Sequence, residues 1–189
     1  LMKAISKSLK KNDPNHLNLG IRYGYIEQLD DELLRISKES FDALSFNCYA
    51  LSPDHEKMNH ALEISGLPMI IGEYHFGTVD RGLAQSLWQV NSQKERGDAF
   101  RYYTENAFAH RGLIGTGWFR WIDQNINGRT DGENYNCGFI DVTDRPYPYM
   151  VDAAIKTAKS LYEIHSGTKT PFHQAPNAVG HSPIPDLWE

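Results

Sequence analysis

Pro68-Met69-Ile70-Ile71-Gly72-Glu73-Tyr74-His75-Phe76-Gly77 is the stretch on which the reading of this chain turns. Apolar and small residues run without alternation into a carboxylate, which predicts a strand buried on both faces whose last residue emerges into a site. In parallel α/β barrels the carboxyl ends of the strands carry the chemistry, so Glu73, followed at once by Tyr, His and Phe, is placed like a catalytic group. The alternative is a Glu that simply opens a surface loop, and this stretch alone leaves both readings open.

Upstream, Ser52-Pro53-Asp54 starts a helix that supplies Met58, Leu62 and Ile64 and stops at Gly66. Phe41 to Tyr49 reads as a strand with Asn47 and Tyr49 at its far end. Leu29, Leu33 and Ile36 in an acidic surround predict an amphipathic helix running to about Glu39. Before it, Leu17, Leu19 and Ile21 alternate with polar residues and predict a short strand ending at Arg22-Tyr23-Gly24. Leu1, Met2, Ile5 and Leu9 recur at helical spacing, and Lys10 and Lys11 favour the negative end of that helix before Asn12-Asp13-Pro14 stops it.

Downstream, Thr78 to about Val90 is expected to be a long loop that shapes a site. Asn91 to Glu95 starts a helix carrying Phe100, Tyr103 and Phe108, and Leu113 to Phe119 is a fourth strand. Arg120 to Pro148 is polar, with Gly138 to Val142 able to form a short extended piece, and Val151, Ala154, Ile155, Ala158 and Leu161 mark a final helix. From Gly167 onward, Pro171, Pro176, Pro183 and Pro185 are expected to forbid a packed element and to leave a linker or wrapping tail. The expected division is therefore a folded region at 1–166 and a Pro-rich tail at 167–189.

Strands that alternate with helices, spaced too widely for hairpins, predict an α/β fold with a parallel sheet. An open doubly wound sheet usually carries a glycine fingerprint after its first strand, but Arg22-Tyr23-Gly24-Tyr25 is no phosphate cradle. Each strand instead ends in side chains able to face one pocket: Arg22, Asn47 with Tyr49, Glu73 with His75, and Trp118 with Trp121. That convergence favours a closed barrel, yet 189 residues fall short of the ~250 of a complete one. The chain also begins without Met, inside an expected helix, and is read as a piece of a longer protein with its N-terminal region absent.

A net charge of −5 with no basic block argues against nucleic acid or an anionic membrane surface as partner, and no apolar run reaches the length of a membrane span. Ten Tyr and four Trp suit a neutral, hydroxyl-rich ligand that stacks. Cys48 and Cys137 form no CxxC and are read as inert core residues. No HxH or HExxH occurs, so no metal is expected, and no cofactor. Gly115-Thr116-Gly117 runs straight into Trp118-Phe119-Arg120-Trp121 and leaves little room to wrap a phosphate.

Retaining cleavage of a glycosidic bond takes two carboxyl groups about 5 to 5.5 Å apart. Glu73 is the nucleophile candidate, with Tyr49 and Arg22 as groups able to hold it. Trp118 is read either as a sugar-stacking face or as a core aromatic. Asp123, Gln124, Asn125, Arg129, Asp131, Glu133 and Asn134 are either solvated loop or hydroxyl-binding groups. His75 is a candidate ligand contact, whereas His16, His55, His60, His110 and His165 are expected at the surface.

These residues resemble a known family. Asp13-Pro14-Asn15-His16-Leu17, Ser45-Phe46-Asn47-Cys48-Tyr49, Ile71-Gly72-Glu73-Tyr74-His75-Phe76-Gly77 and Gly115-Thr116-Gly117-Trp118-Phe119 are similar to the fifth to eighth strands of clan A glycoside hydrolases. Gly128-Arg129-Thr130-Asp131-Gly132-Glu133-Asn134-Tyr135 with Gly138-Phe139-Ile140-Asp141 looks most like family 50, the β-agarases, with family 42 β-galactosidases next. The resemblance covers about residues 1–165 and implies the C-terminal half of a (β/α)8 TIM barrel. It implies a retaining β-glycosidase with Glu73 as nucleophile and a carbohydrate substrate. The residues themselves give Arg22, Asn47, Tyr49, His75, Trp118, Trp121 and Asp123 as the expected substrate-binding groups, whereas Arg120, Trp121 and Ile122 depart from the agarase pattern.

In that clan the acid/base Glu ends strand four, usually after an Asn. Here Glu133-Asn134 is reversed and lies in a loop, so the acid/base is expected upstream of Leu1 and the isolated chain is expected to be inactive. The expected protein partner is the missing N-terminal half of the barrel, or failing that a second copy of the chain. A secreted or periplasmic location is compatible with this but not fixed by it. A non-catalytic carbohydrate-binding fragment is the competing reading, and an open-sheet enzyme for a phosphorylated metabolite the third.

Overall fold

Four strands lie side by side in the order in which the chain makes them. A computed structural model describes residues 1–180 and places β1 (Arg22–Tyr23), β2 (Leu44–Asn47), β3 (Met69–Tyr74) and β5 (Leu113–Trp118) in one sheet, in the order β1-β2-β3-β5. β1 with β2 and β2 with β3 pair in parallel. Four of the five α-helices among the described residues separate these strands or precede them: α1 (Met2–Asn12), α2 (Asp31–Lys38), α3 (His55–Ser65) and α4 (Gln93–Phe108). α5 (Pro148–His165) follows the last of them. A parallel α/β sheet is what the strand spacing predicts.

The helix boundaries follow from local chemistry. Asp30 accepts from the Leu33 amide, Asp54 from those of Glu56 and Lys57, and Ser92 from that of Glu95, each satisfying donors that a helix start leaves unpaired. Gly66 ends α3 at φ 67°, a left-handed cap that suits glycine. Pro148 opens α5, where its missing N–H costs nothing.

The chain forms two compact units. The first comprises residues 1–48, 53–73 and 110–117; the second comprises 49–52, 74–109 and 118 onward. β3 and β5 each run from the first into the second at their last residue.

In the first unit the sheet has one buried face. Leu44, Phe46, Met69 and Ile71 are fully buried, whereas Ser45, Asn47, Ile70 and Gly72 are only half-buried. β3 is therefore not buried on both faces, as its unbroken apolar run predicts. The run does not alternate in hydrophobicity, but burial along it does.

The expected strand at 17–24 shrinks to Arg22–Tyr23. Gly20 sits at φ 76° and breaks the extended run, and an added Cβ there would meet the Phe41 ring at 2.6 Å. Leu17, Leu19 and Ile21 are left 74%, 46% and 46% exposed, so their alternation marks no sheet face. Leu9, Leu17 and Leu19 line a hollow of about 290 Å³ with Lys10, Asp13 and His16.

The second unit is built on α4 against α5. Glu105, 2% exposed, pairs with Arg101 at 2.9 Å and accepts from Thr157, and its other oxygen accepts from the Phe172 amide at 2.8 Å. Arg101 lies over the Phe172 ring at 4.4 Å, so the polypeptide beyond α5 is held along α4. It then adds β6 (Val179–Gly180) antiparallel to β4 (Trp88–Gln89), a small element within the region where prolines were expected to forbid one, and β4 itself lies in the expected 78–90 loop. Pro183 and Pro185 lie outside the described residues.

Among the described residues no helix is long and apolar enough to cross a membrane, and no cluster of three or more His, Cys, Asp or Glu side chains is placed to hold a metal.

Exposed leucines grouped around one hollow favour self-association of the isolated chain. Leu17→Ser with Leu19→Ser is expected to lower the mass-average size measured by light scattering at high concentration. A wild-type chain that is already strictly monomeric there contradicts the expectation.

Candidate active site

The carboxyl ends of β1, β2 and β3 bring three of the expected residues together in the first unit. Register aligns Arg22 with Ser45 and Ser45 with Ile70, which places Arg22, Asn47 and Ile70 on the half-buried face. Glu73 reaches that face through an irregularity. Phe46 pairs with Ile71, but Asn47 pairs with Glu73, so Gly72 is skipped. With strict alternation Glu73 would follow Met69 and Ile71 into the buried layer. The bulge shifts the parity by one, leaving Glu73 with 19% of its side chain exposed while Tyr74 becomes buried.

Each carboxylate oxygen of Glu73 has its own donor. The Arg22 guanidinium lies 3.0 Å from Oε1, and the Asn47 amide donates to Oε2 at 3.1 Å. Two donors on two strands fix the carboxylate plane, and a charge-assisted bond is the stronger kind.

Gly72 makes this fit possible. A Cβ there would sit 2.2 Å from Arg22 Cδ and 3.2 Å from Asn47 Oδ1. At Gly117 of β5 a Cβ would meet the Gly72 carbonyl at 2.7 Å. Glycine at both places lets the strands and the arginine stem lie against each other. Tyr25 also belongs to this unit: burial first, then the charges of Glu27 and Glu73, raise its phenol above the ordinary range. Neither Gly72 nor Tyr25 is picked out by a strand-end search for charged residues.

The remaining expected residues fall in the second unit. Tyr49 packs edge-on against His75 at 4.8 Å between ring centroids. His75 is not available to a ligand, contrary to expectation. It is 1% exposed, its Nδ1 donates to the Phe119 carbonyl at 3.0 Å, and its Nε2 accepts from the Leu87 amide at 3.1 Å. Both nitrogens are therefore used by backbone, and burial lowers its pKa to about 3 and keeps the ring neutral.

Asp123 is likewise a structural group rather than a substrate contact. It is 4% exposed, and its carboxylate accepts from the Gly138 amide at 2.7 Å, from the Tyr147 hydroxyl at 2.6 Å and from Asn136. Gln124, expected in a solvated loop, is buried and bonded to Glu133 and the Tyr135 amide. Among the histidines expected at the surface, His110 is buried and bridges Asn59 and the Gly112 amide. Burial pushes the Cys137 thiol up to about 12, which suits an inert core residue.

The two tryptophans differ. Trp118 is half-buried, donates its indole N–H to the Cys137 carbonyl at 2.7 Å, and is ringed by Tyr74, Phe76, Phe100 and Phe139. Trp121 is 69% exposed and stacks on Phe139 at 6.0 Å and 17°, leaving its outer face open.

No family model matches the chain. It is 37% and 35% identical over 165 residues to β-agarase A and β-agarase B of Vibrio sp. (strain JT0107). Among solved structures, PfGH50B superposes with a TM-score of 0.81 at 36% identity, and the agarase AgWH50C with 0.81 at 37%. The chain is similar to the GH50 agarases in sequence and in fold. The likeness takes in 84% of this chain but 16% and 17% of the two curated relatives, and 87% of this chain but 24% and 25% of the two structures. The chain thus spans about a sixth of the length of the curated relatives it matches. The mixed α/β fold with a parallel sheet is shared with these structures.

His75 generates a pH prediction. Below 6.5 the unfolded chain takes up a proton that the folded chain refuses until about 3, so stability is lost as pH falls through that window. The slope from this one group is at most about 1.4 kcal/mol per pH unit. Urea denaturation between pH 7 and pH 4 is expected to give a shallower dependence for His75→Gln than for wild type; equal slopes contradict the assignment.

Proposed function

We propose that this chain carries the nucleophile of a retaining β-glycoside hydrolase that cleaves agarose-type galactan. The observation that carries the reading is the Glu73 carboxylate at the end of β3, held by Arg22 on one oxygen and Asn47 on the other. The agarase names of the two curated relatives favour agarose over the simple β-galactosides of the second resemblance.

The chemistry follows from that geometry. One Glu73 oxygen attacks the anomeric carbon as its bond to the leaving oxygen breaks, giving a glycosyl ester on Glu73. The leaving oxygen takes a proton from an acid, and the same group, now a base, activates the water that hydrolyses the ester. Arg22 and Asn47 hold the carboxylate in place through both steps, so it needs no rearrangement to attack. The acid/base Glu comes from a segment outside this chain.

The same reading makes residues 1–166 the second half of a (β/α)8 barrel. Strand neighbours follow chain order without the reversal that a doubly wound sheet has at its switch point. The half-buried sheet face, bearing Arg22, Asn47 and Ile70, would line such a barrel, and the missing first half is the expected partner.

Because loss of a general acid or base removes a factor of about 10² to 10⁴, the isolated chain is expected to show essentially no turnover of agarose. A substrate whose leaving group needs no proton separates nucleophile from acid. Incubation with a 2-fluoro-β-galactosyl fluoride followed by peptide mass spectrometry is expected to label Glu73 in the wild type and nothing in Glu73→Gln. Labelling elsewhere, or equal labelling of both, overturns the assignment.

Gly72→Ala tests the support of the carboxylate. Arg22 is half-exposed and can swing aside, so the fold should persist with a stability loss within the common range of about 0.5–3 kcal/mol. Glu73 labelling is expected to slow at least tenfold; an unchanged rate shows that Arg22 does not matter.

A further inference from the structure

In the second unit one buried arginine holds the backbone beneath the exposed tryptophan. Arg96 of α4 is fully buried and donates to the Asn136 carbonyl and the Gly138 carbonyl, each at 2.9 Å. Trp118 takes the carbonyl between them, that of Cys137. Three consecutive carbonyls are thus pinned by side chains from α4 and β5. The guanidinium lies 4.3 Å over the Tyr147 ring, and Asp123, whose charge attracts it, holds the Gly138 amide from the other side.

The pinned segment leads straight into Phe139. That ring meets Phe100 and Trp118 edge-on at 5.5 and 5.8 Å and presents a face to Trp121. The Phe139 and Ile140 amides also donate to the Trp121 carbonyl, at 2.8 and 3.1 Å. Backbone and ring of Trp121 are therefore both set by residues 139 and 140. Gly138 permits this closeness, since a Cβ there would fall 2.3 Å from the Asp123 amide nitrogen and 2.6 Å from the Ile122 carbonyl carbon. A buried guanidinium is costly unless its donors are used, and spending two of them on carbonyls two residues apart sets a backbone conformation rather than a surface charge.

We infer that Arg96 is a positioning residue, acting through residues 136–139 and the Phe139 ring, for Trp121 as a stacking platform for a sugar ring of the substrate. This rests on the sugar-hydrolase reading above and deepens it by naming an exposed platform and the group that orients it. Arg96 touches no substrate. An aromatic face held rigidly at 69% exposure binds apolar sugar faces with little ordering cost.

The test is a double-mutant cycle on the 189-residue chain, with calorimetric affinity for an agarose-derived hexasaccharide as readout. Trp121→Ala is expected to weaken binding about three- to tenfold. Arg96→Lys keeps the charge but not the two-carbonyl fork and is expected to weaken it about threefold, with no further loss in the Trp121→Ala background. A purely structural Arg96 would give additive losses, and that result overturns the inference while leaving the platform. Phe139→Leu removes the supporting ring without touching the buried charge and decides the matter if Arg96→Lys fails to fold: non-additivity with Trp121→Ala supports the inference and additivity overturns it. Wild-type affinity in Trp121→Ala overturns the platform and the inference together, whereas the Glu73 labelling experiment stands or falls separately.

Discussion

The bulge at Gly72 is the constraint on which the candidate site depends. In a regular strand residues 69, 71 and 73 share one face, and the first two are fully buried. A carboxylate carried into that layer would lose its hydration with no partner to replace it, at a cost of several kcal/mol. The extra residue between the Phe46–Ile71 and Asn47–Glu73 pairs rotates Glu73 out and Tyr74 in. One skipped residue therefore separates a destabilising buried charge from a held, accessible one.

Glycine at position 72 serves the same end from the other side. The missing Cβ is the space through which the Arg22 stem reaches the carboxylate, and the glycine at 117 gives the neighbouring strand similar clearance. Close packing, charge pairing and strand register are thus parts of a single arrangement. Bulges near sites re-aim side chains in this way.

The second unit uses buried polarity differently. Arg96, Asp123, Asn136 and Tyr147 form a buried polar network, in which Arg96 Nε alone of the named groups lacks an acceptor, and it shapes a long segment that is itself neither helix nor strand. Burial and the Asp123 carboxylate push the Tyr147 hydroxyl well up, so it stays a donor to that carboxylate. Removing one member would leave a buried charge unpaired, which is why such networks set conformation more than they add net stability.

The sequence by itself determined the helix boundaries, the parallel α/β class and the placing of Glu73 at a strand end. Caps such as Asp54, Ser92 and Gly66, and the identity of the residue closing an apolar run, are local properties written within a few positions. Tertiary structure alone decided what the other polar residues do. His75 and Asp123 look like ligand groups in a list of residue types, and only the Phe119 and Gly138 backbone, 44 and 15 positions away, makes them internal supports. Nothing within its own helix marks Arg96, because its partners lie at positions 136 and 138. The bulge belongs to the same class: Gly72 is visible in the sequence, but its effect on Glu73 exists only relative to β2. Hydrogen bonds and register join residues far apart in the chain, and a one-dimensional pattern does not record which side of a strand a neighbour leaves open.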